Sequence, residues 1–144
     1  MLRPQIFQRK ESLLPLYEQN YMLFRLILPN MPNEKGWFAL EAQGRPPVYV
    51  HRLSAQPYTS EWLLGHFFPQ RQRRFSPDYT IRVYHDARLV EALPPMQKPV
   101  GEVRAYKLAL NRALGEWLDY CHRHRYRLNA AAATADLPLL EDLK

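Results

Sequence analysis

The stretch that most constrains this chain is residues 78 to 93, DYTIRVYHDARLVEAL. Tyr79, Ile81, Val83 and His85 alternate with Thr80, Arg82, Tyr84 and Asp86, which is the period of two that a strand with one buried face requires. A reversal or bulge near Asp86 to Arg88 would bring Leu89 to Leu93 back beside it. No glycine stands where a tight hairpin favours one, so the reading is a pair of adjoining strands with an open junction.

Helical spacing precedes and follows this pair. From Ser12, a candidate N-cap, SLLPLYEQNYMLFRLIL places Leu16, Asn20, Leu23, Phe24 and Ile27 on one face. Leu13 and Tyr17 lie beside that face, and Glu18 and Arg25 lie away from it. Pro15 fits only within a first turn, where a missing N–H has no intrahelical partner, and Pro29, Pro32 and Gly36 end the helix. Residues 1 to 11 then read as a loose basic leader. A second helix is expected from about Glu102 to Tyr126. Leu110, Leu114, Trp117, Leu118 and Cys121 form its buried stripe, and Asn111, Arg112, Glu116 and Asp119 face water. Residues 128 to 144 turn to alanine and acid and read as an appended tail.

Between the helices lie short strand candidates. GWFALEAQ at 36 to 43 and VYVHRLSA at 48 to 55 flank Gly44, Arg45, Pro46 and Pro47, whose prolines have no N–H for a sheet ladder, so a hairpin is predicted. Residues 58 to 68 alternate Tyr58, Ser60, Trp62, Leu64 and His66 against Thr59, Glu61, Leu63, Gly65 and Phe67, which favours a strand over a short helix. The order helix, strands, helix predicts an α+β domain. It is a mainly antiparallel sheet of four to six strands with the N-terminal and C-terminal helices packed on one face. The 144 residues suit a single domain with its core at about 12 to 127.

On the uncovered face this arrangement places Tyr49, His51, Arg82 and Tyr84, a set able to stack a flat group and pair a phosphate or carboxylate. Net charge is +6, the pI is about 9.6 and arginine outnumbers lysine 15 to 5, which points to an anionic partner, protein, nucleotide or nucleic acid. The loop PQRQRRFSPD adds Arg71, Arg73 and Arg74 between Phe68 and Phe75, a candidate contact for nucleic acid.

Catalytic signatures are absent: no Gly-rich phosphate loop, no G-x-S-x-G, no H-E-x-x-H and no paired cysteines. No catalytic residue, metal or cofactor is expected. His122 and His124 are two apart and do not share a helix face. His85 and Asp86, consecutive on a strand, point to opposite sides, so an alternative reading as a small hydrolase or transferase using His85 or His51 with Asp86 needs a bulge. The lone Cys121 permits no intrachain disulfide and sits in an apolar stripe. The N-terminus lacks a signal peptide's apolar core, and no uncharged run approaches the roughly 18 residues of a membrane span, so a cytoplasmic protein is expected.

Three segments carry a resemblance: YEQNYMLFRLILP, TIRVYHDARLVEAL and LNRALGEWLDYCHRH. Together they resemble the YqiB-like proteins, short uncharacterised proteins of gammaproteobacteria, over roughly residues 13 to 126. The most telling pieces are Tyr84-His85-Asp86-Ala87 with Glu91 after it, and Trp117-Leu118 followed by Tyr120-Cys121. The resemblance implies a bacterial cytoplasmic protein and brings no assigned activity, substrate or catalytic residue.

Overall fold

A computed structural model describes residues 3–32, 36–68, 74–94 and 103–128. Helix α1 spans Arg3–Ile27, strand β1 Gly36–Glu41, β2 Val48–Ala55, β3 Thr59–Phe68, β4 Arg74–Tyr84 and β5 Leu89–Ala92. Helix α2 then spans Val103–Arg123, and a short β6 spans Arg127–Leu128. The six strands form one antiparallel sheet in the order β5-β4-β3-β2-β1-β6. Successive strands are neighbours through β5, and β6 returns to the far edge beside β1. The predicted α+β class and strand count are those observed.

Helix α1 begins earlier than the sequence suggested. Residues 3 to 11, read as a leader, belong to its first turns, and Pro15 lies inside it. The proline is exposed, so the bond its nitrogen cannot make is lost on the solvent side of the helix. Asn20, Leu23, Phe24 and Ile27 are buried along the other side.

Alternation in the strands divides the sheet cleanly. Val48, Val50, Trp62, Leu64, Ile81, Val83 and Val90 form one core with Phe24, Ile27, Leu114 and Leu118 of the two helices, so both helices cover the same face. Phe24 meets Trp62 edge-on at 5.9 Å between ring centroids, an arrangement that favours the ring quadrupoles. Cys121 is buried here, and burial pushes its thiol pKa up to about 12, which leaves it an apolar packing group. On the opposite face Trp37 and Phe67 are buried with Tyr49 and Leu63 in a smaller cluster that no helix residue joins.

The β4–β5 reversal occupies residues 85 to 88, and Arg88 takes φ of 58°, the left-handed conformation that a glycine adopts more readily. This resolves the open junction as a turn. The β1–β2 loop does use a glycine, Gly44, at φ of 74°.

Edge strand β5 is closed by a side chain. Asn111 of α2, expected to face water, is fully buried: its Oδ1 accepts from the Ala92 amide at 2.7 Å and its Nδ2 donates to the Ala92 carbonyl at 3.3 Å. One carboxamide has the donor and acceptor of a peptide unit, so it extends the ladder by one step and satisfies a buried edge. Asn20 of α1 donates to the Asn111 carbonyl at 3.2 Å, joining the two helices at the same point.

Candidate functional site

Tyr49, His51, Arg82 and Tyr84 all lie on the face opposite the helices, but they form two groups. His51 stacks on Trp37, with centroids 4.4 Å apart and planes 18° from parallel. Tyr49 meets Trp37 and Phe67 edge-on at 6.4 and 6.0 Å. Burial lowers the His51 pKa, partly opposed by a hydrogen bond with the Gly36 backbone, so the ring is uncharged at neutral pH. Burial, followed by the charge of Glu41, raises the Tyr49 pKa.

The second group is polar. Arg82 donates from Nε and Nη2 to Oε2 of Glu61 at 3.1 and 2.8 Å, and hydrogen bonds with Tyr84 and then Glu61 raise its pKa. The Tyr84 hydroxyl donates to Oε1 of Glu91 at 3.0 Å. Register separates the groups: His51 faces Leu63, which faces Thr80, so Arg82 stands two strands over and one repeat along. That is roughly 12 Å between backbones at ordinary strand spacing.

Glu91 anchors a cluster that wraps the sheet edge. It also takes Lys107 of α2 at 2.5 Å and the Tyr17 hydroxyl of α1 at 3.4 Å, and is itself 7% exposed. The hydrogen bond and charge of Glu91 outweigh desolvation and raise the Lys107 pKa. Burial, then Glu91, raises that of Tyr17. A buried carboxylate with an ammonium and two hydroxyls is fully satisfied, which suits an anchor more than a reactive group.

Two further constellations lie on the helix side, both missed in the sequence. In the first, the Trp117 indole donates to Nδ1 of His66 at 2.9 Å, His66 Nε2 lies 3.0 Å from the Tyr126 hydroxyl, and that hydroxyl donates to the Pro46 carbonyl at 2.7 Å. In the second, Ser60 Oγ lies 2.9 Å from His85 Nε2 and accepts from the Trp62 indole at 2.8 Å. Burial, followed by the charges of Arg52 and Arg25, lowers the His85 pKa, and Asp86 opposes this weakly. The available signal was alternation, which put Ser60 and His66 in register with Trp62 and Leu64, on the core side, where a polar group needs a partner.

His85 therefore pairs with Ser60, while Asp86 is exposed in the turn. His51 and Asp86 are not brought together either: Thr80, in the row of His51, is six residues from Asp86, roughly 20 Å along the chain. Arg71 and Arg73 lie outside the described residues, and Arg74 opens β4 with its side chain outside them. Among the described residues no three His, Cys, Asp or Glu side chains gather as metal ligands, and no helix is long and apolar enough to cross a membrane.

Residues 22–127 match a family model described as a protein of unknown function, DUF1249. The chain belongs to that family. The DUF1249 match takes in strands β1 to β5, α2 and the end of α1, so the sheet face, the Ser60–His85 pair and the Glu91 cluster lie within it apart from Tyr17. Neither the curated proteins nor the solved structures contain a match.

Proposed function

We propose that this protein is a non-catalytic binding or adaptor module whose basic surface meets an anionic partner on the uncovered sheet face. The observation that supports this most directly is that both helices cover one side and leave Tyr49, His51, Arg82 and Tyr84 on the other. His51, uncharged, and Tyr49 supply stacking surface; Arg82 supplies charge. Its bond to Glu61 is no obstacle, because the two side chains are 39% and 33% exposed and such a pair is worth under about 1 kcal/mol.

The separation of roughly 12 Å between His51 and Arg82 favours an extended partner over a compact one. An acidic protein segment or a nucleic-acid strand spans that distance, with nucleic acid second because no RNA-recognition motif is present. Arg71, Arg73 and Arg74 are proposed to add contacts to the partner's backbone. The same reading makes this a cytoplasmic protein of the YqiB-like group, supported by the Tyr84 to Ala87 and Trp117 to Cys121 segments.

The test is retention of the full chain on heparin as a polyanion probe. Wild-type protein should elute at a salt concentration that falls with Arg71, Arg73 and Arg74 changed to alanine, and again with Tyr49→Ala and Arg82→Ala. Retention unmoved by either set would overturn the proposal. The second reading, a small hydrolase or transferase using His85 or His51 with Asp86, is favoured by the Ser60–His85 bond alone, and Ser60 is only 1% exposed. Ester or phosphoester hydrolysis lost in His85→Ala would put that reading first.

A further inference from the structure

We infer that the cavity at the end of the β4–β5 ladder is a second binding site, one for a small organic ammonium with an apolar body. It shares no residue with the sheet-face set and does not depend on whether that face binds an anion.

The cavity exists because β5 is shorter than β4. Strand β4 begins at Arg74, but its pairing with β5 reaches back only to Ile81, and the Leu93 N–H donates to the Thr80 carbonyl at 2.8 Å. The sequence then reads Pro94-Pro95, which has no N–H to continue a ladder. Backbone groups alternate sides along a strand, so those of Asp78 point the same way as those of Thr80, toward the margin that β5 leaves open. Helix α2 brings Tyr106 and Leu110 over this gap. A cavity of about 490 Å³ remains between them, Asp78 and Tyr79 of β4, and Leu93 and Pro94. The volume is that of a small-molecule site.

Its lining selects for a cation. The Asp78 carboxylate makes no hydrogen bond or ion pair among the described residues, in contrast to Glu61, Glu91 and Asp119. Tyr79 and Tyr106 add two aromatic rings, whose electron-rich faces attract cations. The Asp78 carbonyl on the open margin adds a neutral acceptor. Among the described residues that line the cavity none is lysine or arginine, in a chain whose net charge is +6. The local field agrees: burial, then the charges of Glu116 and Asp78, raise the Tyr79 pKa, and no basic group acts against them. Leu93, Pro94 and Leu110 supply an apolar wall for a hydrocarbon body. Acceptors and ring faces without a basic side chain suit an ammonium head, and the same lining repels an anion.

The experiment is titration of the full chain with benzylammonium at neutral pH and constant ionic strength, followed by NMR of the backbone amides. Benzyl alcohol and benzoate serve as probes of matched shape and different charge. Benzylammonium should bind saturably, with a Kd of about 1 mM or below, and shift the Tyr79, Leu93 and Leu110 amides most. Benzyl alcohol should bind about tenfold more weakly, and benzoate not at all. Asp78 is exposed, so Asp78→Asn keeps the fold; it should weaken benzylammonium about tenfold and leave benzyl alcohol as it was. Tyr106→Leu should weaken benzylammonium about threefold by removing a ring face. Benzyl alcohol binding as tightly as benzylammonium overturns the inference, and so does unchanged binding in Asp78→Asn. Shifts centred on Tyr49 and His51 would overturn it too, while leaving the sheet-face proposal, which concerns an anion, intact.

Discussion

The Trp117 indole N–H on α2 donates to Nδ1 of His66 on β3 over 2.9 Å, and this bond fixes the state of the ring. An indole only donates, so Nδ1 carries no proton and Nε2 carries the one that reaches Tyr126. His66 is held neutral within a chain that runs from α2 through the sheet to the β1–β2 loop at Pro46.

Acid should therefore loosen the fold before its carboxylates titrate. Burial lowers the His66 pKa below its unfolded value of 6.5, so the unfolded chain binds the proton more readily. The contribution of the neutral ring is complete above pH 6.5 and is lost as pH falls toward the folded value, at up to about 1.4 kcal/mol per pH unit. Urea unfolding at pH 7.5, 6.0 and 5.0 checks this, and His66→Gln should flatten the slope. A slope unchanged in that variant contradicts the assignment.

Removing the Asn111 carboxamide should release β5. Asn111→Ala leaves the buried Ala92 N–H and carbonyl without their partner, at about 1–3 kcal/mol for an unsatisfied group, and opens a cavity besides. Hydrogen exchange at the Ala92 amide should accelerate well beyond that of β3 amides. Uniform acceleration across the sheet would mean that global unfolding alone had changed.

Gly115→Ala should destabilise despite the better helix propensity of alanine. A Cβ there would stand 2.8 Å from Asn20 Oδ1, whose side chain is buried and tied to α2 through Nδ2. Propensity favours the change by at most about 1 kcal/mol, while overpacking costs about 1–3. A thermal melt should show a net loss, recovered in part by adding Asn20→Ala.

The two ion pairs of the polar network should differ in worth. Arg82→Ala breaks a half-exposed pair and should change stability by less than about 1 kcal/mol. Lys107→Met leaves Glu91, 7% exposed, with hydroxyl partners alone, and should cost about 2 kcal/mol or more. Chemical denaturation of the two variants ranks them, and equal losses would contradict the burial argument.

Alternation and helical spacing were enough to predict the sheet, five of its six strands and the shared helix face, because each depends on which side of an element is apolar; the two-residue β6 is too short to show a period. They were insufficient where the outcome depends on what lies opposite. Asn111 sits at the margin of its helical stripe, where spacing alone cannot separate a solvated amide from one that meets an unpaired strand edge. His51 and Arg82 were correctly put on one face, yet only the pairing through Leu63 and Thr80 sets the distance between them. Ser60 and His85 are 25 positions apart, and their meeting follows from the β3–β4 register, which pairs Ser60 with Val83.

The carboxamide at the β5 margin has a consequence for how copies of the protein behave in a crowded solution. An unpaired strand margin is a template on which another chain can polymerise. Here the template is finished with a single amide borrowed from a helix, so fibre growth from that side requires α2 to lift away first.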